Sequence, residues 1–310
     1  MASIRDVAKY AKVAPSTVSL VLNNTGYVSD CTREKVLNAM DVLNYTPNEL
    51  ARNFSKKRTN IVGVIMPDII HPFFCTFVKY VEQHLYKRGY KTMICSTSLS
   101  RNAEEEYLEM LKRHTMDGII MNADEVLVRQ YADIHRPIVS LDLFLGDDIP
   151  IVMTDHEQEG RLAASLFCRN GCKFVVQTMG DTSVKTPAHE RNFVLNRVLK
   201  ERGVQTECIE MGFDLFEIEN LDRLANRVFE EFPQTDGIFG SEIFISRCLQ
   251  QARRRGIRVP EDLKLIACDG TYLSEVNQIT AIMQPIDELA KCSTDLIPVS
   301  YTHLRAHETR

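Results

Sequence analysis

"KVAPSTVSLVLNN", Lys12 to Asn24, is the stretch on which the N-terminal fold turns. Pro15 suits the first position of a helix, where a missing N–H would have no partner anyway. Val18, Val21 and Leu22 then recur at the three- and four-residue spacing that gathers apolar side chains on one face. Ser16, Ser19, Leu20 and Asn23 fall on the other face. Upstream, Ser3 followed by Asp6 is a capping-box pattern, and Ile4, Val7, Ala8 and Ala11 form a second apolar stripe. About three residues separate these helices. A third helix is expected from Asp30 to Asn44, capped by Ser29, with Val36, Leu37, Met40 and Leu43 as its stripe. Two short helices on a tight turn, backed by a third, make a helix-turn-helix.

The outward face of the second helix holds short donors and acceptors and almost no charge. Such side chains let a helix approach DNA closely and bond phosphates or base edges. The charge distribution agrees. Residues 1–58 carry nine Lys/Arg and five Asp/Glu, a net of +4, whereas residues 59–310 carry 28 and 37, a net of −9. A basic head on an acidic body suggests a nucleic-acid module joined to a part that does not bind nucleic acid.

"IRDVAKYAKVAPSTVSLVLNN" followed by "VSDCTREKVLNAMDVLNYTPNELARNF" resembles the DNA-binding head of the lactose-repressor (LacI/GalR) family. DVA, TVS, VLN, TREKV, LNY-x-P-N and LA occur in order and at the right spacing. The resemblance implies that Thr17, Ser19, Asn23, Ser29 and Thr32 contact phosphates and that Pro15, Ser16 and Leu20 read major-groove bases. Tyr27 and Asn48 complete that set. Three positions depart from the pattern. Lys12 stands where Gly is usual in the turn, a place that tolerates positive φ. Ala14 replaces a capping Ser, a loss of roughly 0.5–2 kcal/mol. Leu20 replaces the common Arg, which exchanges a guanine grip for contact with a thymine methyl.

"TPNELARNFSKKRTN" joins head to body. By the same resemblance it is a hinge helix, with Ala51 and Phe54 entering the minor groove and Lys56, Lys57 and Arg58 attracting phosphate. So short a helix is marginal alone in water and is expected to order on DNA.

From Ile61, short β-rich runs alternate with helical ones, the pattern of parallel sheets. Strands are expected at "IVGVIM", "YKTMICS", "DGIIMN", "PIVSLD" and "IVMTD", then at "KFVVQTMG", "ECIEM", "DGIFGS" and "LKLIACD". Helices are expected at Cys75–Arg88, Asn102–His114, Glu190–Arg202, Leu221–Glu231 and Ile243–Arg255. "ITAIMQP" leads back to the first half. The expected class is therefore an all-α helix-turn-helix head plus an α/β body of two doubly wound parallel-sheet subdomains.

"IIHPFF", "DGIFGSE", "RGIRVPEDLKLIACDG" and "ITAIMQPIDELA" resemble the periplasmic-binding-protein-like (type I) effector domain of the same family. The resemblance divides the chain into a head at 1–46, a hinge and linker at 47–60, and an effector and dimerisation domain at 61–297. Within the last, the N-subdomain takes about 61–157 and 284–297, and the C-subdomain about 158–283. It implies a cleft containing Phe73, Phe74, Asn122, Asp142, Asp155, Arg191, Ser241 and Asp269. Arg191 could grip hydroxyls or an anion, the acids could accept from hydroxyls, and the phenyl rings could stack on an apolar ring face. Ser241 and Glu242 replace an Asn-Asp pair, and Gly270 replaces a second Asp.

"PVSYTHLRAHETR" lacks apolar periodicity and opens on Pro, so the last helix is expected to stop at Ile297. Family members would complete it and add a strand. Residues 298–310 resemble translated adapter sequence, and are expected to be non-native on a C-terminally truncated chain.

Other classes find little support. "HEQEG" at His156 and "HERNF" at His189 both miss the second His of HExxH, and phosphate-loop and GxSxG motifs are missing. An enzyme is not expected, nor a cofactor. Nine cysteines without CxxC pairs suggest reduced thiols and no metal site. No apolar run reaches ~18 residues and the N-terminus lacks a signal-peptide core, so the expected location is cytoplasmic. The expectation is a homodimeric repressor. Its expected partners are a pseudo-palindromic double-stranded DNA operator and a small effector, a sugar or derivative, that sets operator affinity. A transport-type solute-binding protein is the alternative, which the basic head argues against.

Overall fold

The computed structural model describes residues 2–47, 58–97, 103–122, 131, 134, 136–212 and 218–308, with the side chains of 298–308 outside that description. Asn48, Ala51, Phe54, Lys56 and Lys57 therefore lie outside the described residues. The chain separates into two compact units, 1–59 and 60–310.

The first unit holds α1 (Ile4–Ala11), α2 (Pro15–Asn23) and α3 (Asp30–Val42). The capping box forms in full: Ser3 Oγ accepts from Asp6 N, and Asp6 Oδ2 accepts from Ser3 N at 2.8 Å. Lys12 ends α1 at φ 55°, ψ 43°, so the turn does take the left-handed conformation that favours Gly. Ala14 offers α2 no side-chain cap. Val7, Ala8, Ala11, Val18, Val21, Val36 and Ala39 form the core, and the small alanines let three short helices close on it.

Three details differ from expectation. Leu37 is 52% exposed and Ala39 takes the inner place, because Val36, Ala39, Met40 and Leu43 keep helical phase and Leu37 is a third of a turn off it. α3 ends at Val42. Ser29 precedes α3, but its Oγ pairs with Thr32 Oγ1 at 2.9 Å and caps no backbone N–H.

The second unit contains two five-stranded parallel sheets. In the first lobe the order is β2-β1-β3-β4-β5, from β1 (Ile61–Met66), β2 (Lys91–Ser96), β3 (Gly118–Met121), β4 (Ile138–Leu141) and β5 (Ile151–Val152). Its helices are α4 (Pro72–Lys87) and α5 (Ala103–Lys112). The second lobe has β6 (Phe174–Met179), β7 (Gln205–Glu210), β8 (Gly237–Gly240), β9 (Lys264–Ala267) and β10 (Thr280–Ala281), ordered β10-β9-β8-β6-β7. With it go α6 (His156–Arg169), α7 (His189–Glu201), α8 (Ile218–Glu231), α9 (Glu242–Arg254) and α10 (Tyr272–Asn277). α6 and α10 go beyond the helices named from sequence.

Strand alternation explains the layering. Val62, Val64 and Met66 face Phe77, Val81 and Leu85 of α4, while Ile65 faces Leu108, Leu111 and Met116. In the second lobe Val176 packs with Ile238 and Phe244, and Val175 with Ala163, Phe167 and Leu195. The chain passes between lobes after β5 and again after β10, where α11 (Ile286–Glu308) returns Leu289, Ala290 and Ile297 to the first core. α11 continues past the expected stop at Ile297. Pro298 removes one amide donor, and that loss alone does not end the helix.

Both sheets reverse strand order beside their first strand, between β1 and β3 and between β6 and β8. Ligands of doubly wound sheets bind outside the carboxyl ends of strands at such points.

Candidate functional site

A cavity of about 200 Å³ opens there, lined from both lobes. Phe73 and Phe74 reach it from the start of α4, Asn122 from the end of β3, Asp142 from the end of β4, Arg191 from α7, Ser241 from the end of β8 and Asp269 from the end of β9. Seven of the eight cleft candidates thus come together. Asp155 does not line the cavity: its carboxylate caps α6, accepting from Gln158 N at 2.9 Å, the usual use of an Asp just before a helix. His71, Thr178, His189, Asn192 and Gln284 also line it and were missed from sequence. Thr178 lies near the end of an expected strand, a signal that could have found it.

A buried charged cluster forms the floor. His156 Nε2 donates to Asp142 Oδ1 at 2.7 Å and Nδ1 to Glu159 Oε2 at 3.1 Å. Burial works against the imidazolium, but these two hydrogen bonds outweigh it and push the His156 pKa up to about 9. Arg191 Nη1 lies 3.6 Å from Glu159 Oε2. Burial also opposes the Arg191 charge, and Cys268, Glu159, Asp269 and Asp142 around it hold its pKa above the ordinary value. Gly160 lets α6 and α7 meet closely enough for this: a Cβ there would fall 2.4 Å from Arg191 O.

The His156 shift carries a stability consequence. A pKa raised from the ordinary 6.5 of an exposed histidine to about 9 gives stabilisation that is full below 6.5 and lost as pH rises through about 9. The amount is on the order of 3 kcal/mol. Thermal unfolding followed from pH 6.5 to 9.5 should show a falling midpoint, and the fall should flatten in His156→Gln. An equal fall in both chains would refute the assignment.

Asp142 has φ 52°, and its carbonyl accepts from Thr186 Oγ1 at 2.6 Å, while Phe144 N donates to Lys185 O at 3.0 Å. Residues 184–186 of the second lobe are thereby fastened to the first, where Val184 packs on its core. Glu242, fully buried, faces away from the cavity: it accepts from Thr271 N at 2.6 Å and from the hydroxyls of Thr271 and Ser274. It holds the loop that aims Asp269. Asn122 Nδ2 donates to Leu141 O at 2.8 Å, joining the ends of β3 and β4.

In the head, Pro15, Ser16, Leu20, Tyr27 and Ser29 are exposed, and Thr17, Ser19, Asn23 and Thr32 half-buried. Tyr27 is 93% exposed. Leu20 leans over Gly26, where a Cβ would lie 3.3 Å from its Cδ2. Asn23 is turned inward: Nδ2 donates to Ser19 O at 2.8 Å and to Ser19 Oγ at 3.2 Å. Its amide braces α2, a role that the helical wheel alone did not reveal. Among the described residues no helix is long and apolar enough to cross a membrane, and no His/Cys/Asp/Glu group could hold a metal ion.

Residues 3–48 match the model of bacterial regulatory proteins, lacI family, and residues 59–253 match that of periplasmic binding proteins and the sugar binding domain of the LacI family. The chain is 34% identical to the ribose operon repressor of Halalkalibacterium halodurans, over 96% of this chain and 89% of that one. It is also 34% identical to the sucrose operon repressor of Streptococcus mutans, over 98% and 94%. A Lac repressor structure with bound ONPG superposes with a TM-score of 0.83 at 22% identity, covering 97% of this chain and 94% of that one. A helix-turn-helix head, two sheets of like strand order and a cavity at their switch points accompany these matches, and the chain belongs to the LacI family of bacterial regulatory proteins.

Proposed function

We propose that the chain is a repressor whose hold on operator DNA is set by a small molecule, a sugar or sugar derivative, in the cavity between the lobes. One observation carries this: polar groups of both lobes, Asp142 and Asn122 from the first and Arg191 and Asp269 from the second, converge on one cavity. A ligand bridging them changes how the lobes pack. In a dimer that change alters the spacing of two heads on a pseudo-palindromic site, a coupling typically of ~1–3 kcal/mol. The protein acts where its DNA is, in the cytoplasm, and no catalytic step is part of this function. The solute-binding alternative leaves the head without a role.

A gel shift with DNA from the gene's own upstream region tests the proposal. Retention should fall steeply with salt, with a log–log slope of about −0.9 per phosphate contact. Binding that stays flat between low and moderate salt would sink it. Tyr27→Ala should weaken retention several-fold while leaving the unfolding midpoint unchanged, since the ring is almost wholly outside the core. Equal retention by the variant removes Tyr27 from the interface.

A further inference from the structure

The cavity's charge and hydrogen-bonding capacity say what kind of effector it takes. Among the described residues Arg191 is the one cationic side chain on the lining, and it already faces Glu159 at 3.6 Å. Three carboxylates, Asp142, Glu159 and Asp269, stand against two cations, Arg191 and His156, and Glu242 adds a fourth carboxylate just behind Ser241. The two lining imidazoles add no positive charge: burial above all holds the pKa of His71 and His189 below the ordinary value.

Among the described residues three buried lining atoms lack a hydrogen-bond partner: Asp269 Oδ2, Gln284 Oε1 and Thr178 Oγ1. Two are pure acceptors. The Gln284 amide is oriented by its neighbours, since Nε2 donates to Cys268 O at 3.1 Å and Asp269 Oδ1 at 3.3 Å, which leaves Oε1 facing away from both. Buried acceptors without donors are costly, so the occupant must supply hydroxyl or amine hydrogens. The volume of about 200 Å³ lies below the ~300–1,000 Å³ of pockets for larger ligands.

From this we infer that the effector is a single-ring, hydroxyl-rich molecule without an anionic group, and that the cavity rejects the phosphate ester of the same sugar. This rests on the proposed function and narrows it. A phosphate brings a charge of about −1.5 to −2 into a space whose described charged groups already sum to a negative charge and whose one described lining cation is engaged. Its oxygens would also meet acceptors instead of donors.

The experiment is titration calorimetry on the full chain with D-ribose, D-xylose, D-glucose, D-galactose and D-fructose, each beside its own phosphate ester, and with sucrose and lactose as two-ring probes. The expected result is that at least one neutral monosaccharide binds, with its ester about 100-fold weaker or worse. Asp269→Asn should weaken the neutral sugar and narrow its advantage over the ester. An ester that binds as tightly as its parent, or a two-ring sugar that outbinds every single-ring one, overturns the inference and leaves a ligand-controlled repressor standing. If neither series binds, both the inference and the sugar reading of the cavity fall, whereas a chain that binds sugar but never retains DNA overturns only the repressor.

Discussion

Arg191→Met should lower the unfolding midpoint of the body by roughly 6–20 °C and abolish the effector response with it. The side chain is 21% exposed and sits among Glu159, at 5%, and Asp142, at 11%. Glu159 Oε1 already lacks a partner. Among the described residues, removing the guanidinium leaves His156 as the only cation against three buried carboxylates, and breaking a buried pair from one side typically costs about 3–5 kcal/mol. Met keeps much of the volume, so a cavity in the packing is not the cause. Arg191→Lys separates two roles: it restores charge without the planar fork, so stability should return in large part and ligand affinity should not. A midpoint for Arg191→Met within about 2 °C of the parent would show that the carboxylates relax on their own, and the cluster would lose its structural importance.

The parts of this molecule that were legible in its sequence are those set by local rules. Periodicity in Ile4–Asn24 gives the first two of the three head helices, and the Ser3–Asp6 box marks the start of α1 to the residue. β-branched runs separated by turn signals give nine of the ten strands, and the family resemblance gives seven cavity residues, four of which, Asn122, Asp142, Ser241 and Asp269, follow strand ends, where doubly wound sheets bind ligand. What sequence could not give depends on contacts distant along the chain. His156 looked like half of a failed metal motif, yet it is a buried cation because Asp142, fourteen residues earlier, folds against it. Asp155 looked like Asp142 and Asp269, since each follows a strand; only the onset of α6 one residue later makes it a cap. Asn23 lies on the polar side of α2, and whether its amide points to solvent or back to Ser19 is a rotamer choice that a wheel does not contain.

Gly270 gives the same lesson in its sharpest form. The family usually has a second Asp there, so Gly270→Asp restores the common residue and would be expected from sequence alone to be harmless or stabilising. The structure predicts the opposite. Gly270 has φ +71°, and a Cβ on it would lie 2.6 Å from Met283 Cα and 2.7 Å from Met283 Cγ. Left-handed backbone disfavours a side chain by roughly 1–2 kcal/mol, and forcing Met283 aside adds about 1–3 kcal/mol. The displacement also reaches the cavity, because Met283 is bonded in the chain to Gln284, whose N donates to Asp269 O at 3.1 Å and whose side chain bonds Asp269 Oδ1. Gly270→Asp should therefore lose about 2–5 kcal/mol in denaturant unfolding and bind effector poorly even where folded. Gly270→Ala isolates the Cβ from the added charge and should show most of the stability loss. If both variants keep the parent's midpoint and ligand affinity, the loop after β9 has room that its geometry denies. A loss confined to Asp would put the cause in charge beside Asp269 and not in the backbone.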